Sequence, residues 1–345
     1  MHMADALLSP AVGGTFWAGT IGALIYSAKK LKEKMDERMI PLMGILGAFI
    51  FAGQMINFTI PGTGLSGHIG GGMLLAILLG PYAAFLVIAS VLIIQALFFA
   101  DGGLLALGAN IWNLGIYPCF IGYSLIYRAI VKQSPSAKRI TVASILSVVI
   151  GLQLGALSVV LETKLSGITE LPFSTFLLLM QPIHLAIGLI EGFITAGIVN
   201  YVRSLRPDIV NNVEKVKILS PAGSMKKVLI VMALLAILTG GALSWFASTY
   251  PDGLEWSIEK IYGKPEIERT NPVKEGLSKL QDKTAILPDY SLPKKAEGKT
   301  EAQPSWPAVD PGTSLSGFIG SIMVLCLVIL FGFGIKVIKK HREKI

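Results

Sequence analysis

Tyr82-Ala-Ala-Phe-Leu-Val-Ile-Ala-Ser-Val-Leu-Ile-Ile-Gln-Ala-Leu-Phe-Phe99 runs for eighteen residues without a charged side chain. As a helix it covers about 27 Å, most of the ~30 Å hydrocarbon core of a bilayer. Breaks bound it on both sides: Gly80-Pro81 before it and Asp101-Gly-Gly103 after it. Further apolar segments lie at about 11–28, 39–57, 68–79, 103–127, 138–162, 183–203, 228–248 and 315–338. The 345 residues are 52% hydrophobic and 15% charged, with a mean hydropathy of +0.64. Soluble domains carry about 25% charged residues. The sequence therefore predicts an all-α integral membrane protein, helices being the form that satisfies backbone polar groups inside lipid.

The net charge of +8 is read as basic cytoplasmic loops rather than as a nucleic-acid surface. Loop 29–38 holds Lys29, Lys30, Lys32, Lys34 and Arg38, so it is expected inside the cell and the N-terminus outside. The loop carrying Arg128, Lys132, Lys138 and Arg139 is expected inside as well, as are the basic linker near 204–227 and the tail Lys336 to Lys344. Seven helices followed by two more satisfy every basic loop. Segment 68–79 is the shortest crossing and needs tilting, burial by neighbours or a partly re-entrant path. The expected division is a bundle over 1–204, a cytoplasmic basic linker over 205–225, and a second unit over 226–345. In that unit helices at 228–248 and 315–338 flank a small extracytoplasmic region, 249–314. Its first part, Pro251 to Gly263, reads as a turn and a short amphipathic helix. Residues 264–310 read as mainly irregular, being rich in Pro, Lys and Glu.

Several motifs are weak. Gly62-Thr-Gly64-Leu-Ser-Gly67 fits G-x-G-x-x-G but follows a membrane helix, not a strand of a βαβ unit. Its glycines are read as permitting a tight turn. Gly298-Lys299-Thr300 resembles the end of a P-loop, yet Pro293 stands where the first glycine is required. No ATPase is expected in this chain. Cys119 and Cys326 sit in apolar segments and form no framework. Gly14, Ala18 and Gly22 form a small-residue stripe on the first helix, read first as packing within the bundle and second as docking to a membrane partner. His184 and Glu191 share a helix face and are read as a structural polar contact ahead of a proton relay. Glu162 and Asp101 are outer helix ends or second-layer partners, and His341 in the basic tail is read as inert.

Met1-His2 carries more chemistry. The amine, the His2 backbone nitrogen and the His2 Nδ1 can close two fused chelate rings on one ion, and a planar nitrogen set suits Ni(II) or Cu(II). The plain alternative is a cloning scar or a polar helix cap. The segment Met1 to Pro10 lacks the charged start and cleavage site of a signal peptide. A bulky second residue blocks removal of the initiator Met, so this amine is expected in the mature chain. Three donors need a fourth. The topology puts His68, in the glycine-rich loop 61–72, on the same side as His2. A ligating imidazole usually donates its other N–H to an acceptor. Asp5, Asn57, Ser66, Asp101 and Asn110 are the candidates, with no choice among them.

Taken together, Met1-His-Met-Ala-Asp-Ala, Ile56 through His68, Leu79-Gly-Pro-Tyr, Asp101 through Asn110 and His184 through Glu191 resemble the substrate-specific component of cobalt and nickel energy-coupling-factor transporters, the CbiM/NikM family. Pro251-Asp-Gly-Leu-Glu255 resembles the small NikN/CbiN-like (PDGLE) component fused behind it. The resemblance covers residues 1–204 and implies a seven-helix bundle whose N-terminus inserts and binds the ion. The donors it implies are the Met1 amine, the His2 backbone nitrogen and imidazole, and His68. It also implies a membrane coupling protein of the NikQ/CbiQ type and cytoplasmic ATPases of the NikO/CbiO type. Many cobalt members begin Met-His-Ile-Met-Glu-Gly, a departure that leans towards nickel.

The expected function is thus capture of a divalent transition metal, nickel before cobalt, for ATP-driven uptake across a prokaryotic cell membrane by a non-catalytic subunit. The alternative is a membrane metal sensor without transport. It is disfavoured because the longest cytoplasmic segment, near 204–227, is too short for a signalling domain.

Overall fold

A computed structural model describes residues 2–34, 36–131, 135–211, 225–264, 267, 271–292 and 307–342. Met1, most of the basic linker, Lys132, residues 293–306 and the last residues of the tail lie outside the described residues.

The chain is mostly helical. In order, its main elements are α1 (Pro10–Lys34), α2 (Ile40–Gln54), strands β1 (Phe58–Ile60) and β2 (Leu65–Gly67), α3 (Gly72–Leu79), α4 (Pro81–Phe99), α5 (Leu107–Val131), α6 (Ala137–Ser166), α7 (Phe173–Leu205), α8 (Lys226–Gly241), α9 (Gly253–Tyr262), α10 (Pro272–Thr284) and α11 (Pro311–Arg342). Five helices are long and apolar enough to cross a membrane: α4, α5, α6, α7 and the Pro311–Lys339 stretch of α11. Helix α4 holds the centre, with most of its residues buried. Helices α6 and α7 form the most extensive helix pair, and α8 and α11 both lean on α2.

The eight residues of α3 are all buried. They cover about 12 Å, well under half of the hydrocarbon core. Gly80 at φ 83° ends α3, and Pro81 starts α4 as its first helical residue.

The all-α class holds, with one short hairpin added, and three expectations change. In the hairpin β1 and β2 pair antiparallel, Phe58 opposite Gly67 and Ile60 opposite Leu65. Gly62 and Gly64 take the left-handed conformations of the turn. Helix α7 starts at Phe173, not near 183, because Pro182 lies inside it. Neighbours serve the carbonyls around the proline: Gln153 Nε2 donates to Gln181 O (2.8 Å), and His184 Nδ1 lies 2.8 Å from Met180 O. Residues 272–284 are helical rather than irregular. Asn271 caps the Lys274 N–H (2.9 Å), Pro272 opens the helix, and Glu275 and Lys283 sit at the ends that suit their charges. Finally, Gly14, Ala18 and Gly22 face outward, and a Cβ at Gly14 or Gly22 would meet nothing. Helix α1 packs instead through Gly13 against Leu105 and Gly19 against Trp112, with Thr20 donating to Gly108 O (2.7 Å).

The two ends of the bundle differ. At one, Lys336 pairs with Glu37 (2.7 Å) and Asp208 lies near Arg38. At the other gather the hairpin, Asp101 and the segments 248–264 and 271–291. There Ser66 donates from both its N–H and its hydroxyl to the 250–251 backbone, and Asn57 O accepts from the Ser248 N–H (2.6 Å).

Candidate metal site

The first residues are threaded into the bundle. Met3, Leu7 and Leu8 are fully buried, each worth roughly 1.5–3 kcal/mol of apolar burial. Asn110 grips the Met3 backbone at both ends: its Oδ1 accepts from the Met3 N–H (2.8 Å) and its Nδ2 donates to the Met3 carbonyl (3.2 Å). The Gly103 N–H donates to that carbonyl as well (3.0 Å). Asp5 accepts from the Ala106 N–H (3.0 Å). The Asp101-Gly-Gly103 turn makes room for this strand. Gly102 is at φ 81°, and a Cβ there would crowd Asn110 and His2, while one at Gly103 would overlap Asp5. The N-terminal segment is thus specified by backbone fit and by one carboxamide, with His2 carried at its end.

His68 is held from the other side. It follows β2 directly. Glu191, on α7, accepts from two consecutive N–H groups beyond it, Gly70 (2.7 Å) and Gly71 (2.9 Å). Gln54 Nε2 donates to Gly70 O (2.8 Å). Glu191 is therefore a structural anchor for the glycine-rich loop.

These two anchored segments bring the His2 and His68 rings together, stacked with centroids 5.0 Å apart and 14° between planes. His2 Nδ1 faces Asp101 Oδ1 at 3.3 Å, and His2 Nε2 is buried without a hydrogen-bond partner among the described residues. His68 Nδ1 lies 3.1 Å from Ile69 O. Burial pushes both imidazoles down to about 3. They are neutral at ordinary pH, which is the form that binds metal. Asp101 is raised by burial, against a hydrogen bond donated by Tyr290.

The sequence signal Pro251-Asp-Gly-Leu-Glu255 has a local reason. Asp252 caps α9, accepting from Leu254 N–H (2.7 Å) and Glu255 N–H (2.8 Å), while Glu255 reaches back to the Asp252 N–H (2.9 Å). Gly253 lies against Ile183 and His184, where a Cβ would fall 2.5 Å from Ile183. The capped turn brings the Asp252 charge close enough to act on both imidazoles. A cavity of about 990 Å³ opens here, lined by His2, His68, Asp101, Asp252, Glu255 and Tyr290 among others.

The residues expected around the ion fare differently. Asp101 meets His2 directly. Asn110 and Asp5 act on the N-terminal strand instead. Asn57 lines the cavity but is tied through its backbone, and Ser66 is committed to the 250–251 backbone. Glu162 is neither an outer-shell partner nor a solvated end: it is buried, accepting from Asn113 (3.0 Å) and Ser158 (2.8 Å). Asp252, Tyr290 and Gln95 escaped the sequence reading. Gln95 is a lone amide in the apolar run quoted first, and it lies beside His2 and Tyr290. Among the described residues no three His, Cys, Asp or Glu side chains converge to hold an ion.

Residues 2–209 match the family described as the cobalt uptake substrate-specific transmembrane region, and residues 226–337 match the PDGLE domain. A protein of Archaeoglobus fulgidus named as a fused nickel transport protein, NikMN, is 36% identical over 95% of this chain and 96% of its own length. The cobalt transport protein CbiM of Sorangium cellulosum is 32% identical over 65% of this chain and all of its own. A crystal structure of a transition metal transporter aligns with a TM-score of 0.53 at 33% identity, over 59% of this chain and 93% of that one.

Proposed function

The chain belongs to the CbiM family of cobalt-uptake substrate-specific membrane proteins, with a PDGLE domain behind it, and on that premise we propose that it captures a divalent transition metal outside the cell for ATP-driven uptake. The observation that carries this reading is the pairing of His2 with His68 in the wall of a large cavity. The donors are the Met1 amine, the His2 backbone nitrogen, His2 Nδ1 and His68, four nitrogens in a plane. An ion taking His2 Nδ1 displaces Asp101 from it. Asp101 and Asp252 then offset the charge of the ion.

The bundle over 1–204 binds, 205–225 links, and the unit over 226–345 loads the site. Seven helices and then two more orient the N-terminus and 249–314 outward and the C-terminus inward. The pairing of Lys336 with Glu37 supports this, because it gathers two basic segments at one end. The short α3 acts as a partial crossing sheltered by its neighbours. A coupling protein of the NikQ/CbiQ type and ATPases of the NikO/CbiO type drive reorientation and inward release.

Nickel is the favoured ion and cobalt the next, since a plane of nitrogens including a deprotonated amide matches d⁸ Ni(II). Uptake of labelled nickel in cells expressing the full system, challenged with excess cobalt, tests the ranking. Nickel uptake that persists supports it, and loss to cobalt reverses it. With both imidazoles already neutral, binding between pH 5 and 8 is expected to weaken as pH falls because the amine and amide hold their protons.

Asn110→Ala releases the N-terminal strand at its two-point contact. Nickel affinity is expected to fall roughly 10- to 100-fold, the usual cost of losing a supporting contact around a metal, with one ion per chain retained. Competition titration against a chelator reads this, and unchanged affinity would show that apolar burial alone positions His2.

Deleting residues 249–314 should impair uptake in cells more than equilibrium binding by the purified chain. The proposed ligands all precede residue 69, and the outer region has no histidine or cysteine. Equal and complete loss of both in a folded protein would mean that the outer unit builds the site.

A further inference from the structure

We propose that Tyr290 is a positioning residue for the metal site: its hydroxyl holds Asp101, and through Asp101 it sets the pose of the His2 imidazole. The inference rests on the reading of His2 and His68 as the capture site, and it names the contact by which the outer unit reaches that site.

The geometry forms a chain of three groups. Tyr290 Oη donates to Asp101 Oδ2, and the other carboxylate oxygen, Oδ1, faces His2 Nδ1 at 3.3 Å. A phenol donating to a carboxylate is a strong, short contact, and it decides which oxygen is left for the imidazole. Tyr290 is itself fixed. Its ring stacks on Phe99 (5.1 Å, 21°) and meets the edge of Phe51 (6.1 Å, 69°). Just before it, the Ile286 and Leu287 N–H groups both donate to Phe98 O (3.0 and 3.3 Å). Earlier still, Gln281 Nε2 donates to Ala96 O and Gly102 O, both at 2.8 Å.

Residues 272–291 thus lie as a strap across the end of α4 and the Asp101 turn, and Tyr290 is where the strap meets the carboxylate beside His2. Asp289 and Tyr290 are both left-handed, at φ 51° and 56°, a conformation that residues other than glycine rarely adopt. Such strain persists only where surrounding contacts over-determine it, and it is common at functional sites. Asp101 has no other described hydrogen-bonding side chain holding it, so without Tyr290 its carboxylate is free to turn away from His2.

The test uses the full chain with its native N-terminus, nickel as the probe, and the variants Tyr290→Phe, Asp101→Asn and both together. Tyr290→Phe keeps the ring and its stacking and removes only the hydroxyl. One ion per chain is expected to remain bound, with affinity about tenfold weaker, because a His2 ring that Asp101 no longer pre-orients must be ordered when the ion binds. In the Asp101→Asn background the second substitution should add less than about twofold, since coupled residues fail to add. The ring ¹⁵N shifts of His2 in the metal-free protein give a readout that does not depend on binding strength. Tyr290→Phe should move them in the wild-type background and leave them still in Asp101→Asn.

Unchanged affinity and unchanged His2 shifts in Tyr290→Phe would overturn the proposal. So would equal effects in both backgrounds, because Tyr290 would then act independently of Asp101. A His68→Ala control separates the two levels. If it binds nickel like wild type, the capture site itself is misassigned. If it loses nickel while Tyr290→Phe is silent, only the role of Tyr290 falls.

Discussion

One residue added ahead of Met1, or acetylation of its amine, is expected to abolish high-affinity nickel binding while leaving the protein folded in the membrane. The reason is geometric. The amine closes the first of the two fused chelate rings and anchors the set, and His2 cannot shift to compensate, because Met3 is locked one residue later by Asn110 and Gly103. A four-donor structural site is worth roughly 10–16 kcal/mol, so losing one donor costs about 3 kcal/mol, and breaking the chelate costs more. That corresponds to at least roughly a hundredfold in affinity. Nickel titration of blocked and unblocked protein reads the effect directly. Equal affinities would remove the amine from the site.

His2→Ala and His68→Ala should each eliminate high-affinity binding by the same arithmetic, whereas His184→Ala should leave one ion per chain. His184 is buried near His68, but its Nδ1 is engaged with the Met180 carbonyl on its own helix. Metal content after gel filtration distinguishes the three. Complete loss in His184→Ala, with the protein still folded, would move the ion deeper into the bundle.

The membrane class, the breaks at Gly80-Pro81 and Asp101-Gly-Gly103, and the two histidines on one side were readable because each depends on short-range composition or loop charge. What was not readable depends on distant partners. The glycine-rich loop reads as a turn, but its pairing as a hairpin, and the contact of that hairpin with residues 248–251, need a segment some 180 residues away. The apolar segment from 183 marks only part of α7, because the polar and proline-containing turn before it is held by a neighbour, Gln153 Nε2 donating to Gln181 O. The small-residue stripe on α1 points outward because Gly13 and Gly19, next in sequence to Gly14 and Ala18, are the glycines that face Leu105 and Trp112. Residues 272–284 carry a capped helix start at Asn271-Pro272 that their polar composition hid. Asp252 was legible as part of a motif but not as a charge lining the same cavity as His2 and His68. Tyr290 carried no signal at all, being a tyrosine in a Pro- and Lys-rich stretch. Glu191 was legible as an intramembrane carboxylate, and its role as an anchor for Gly70 and Gly71 follows only from the packing of α7 against the loop.

The central claim is that His2 and His68 complete a planar nitrogen site begun by the chain's own amine. Metal content and visible absorption of the protein purified with its native N-terminus and loaded with nickel test it most directly. The account predicts one ion per chain with the absorption of square-planar Ni(II), lost in His68→Ala. A tetrahedral spectrum, or a planar one that survives His68→Ala, would contradict it.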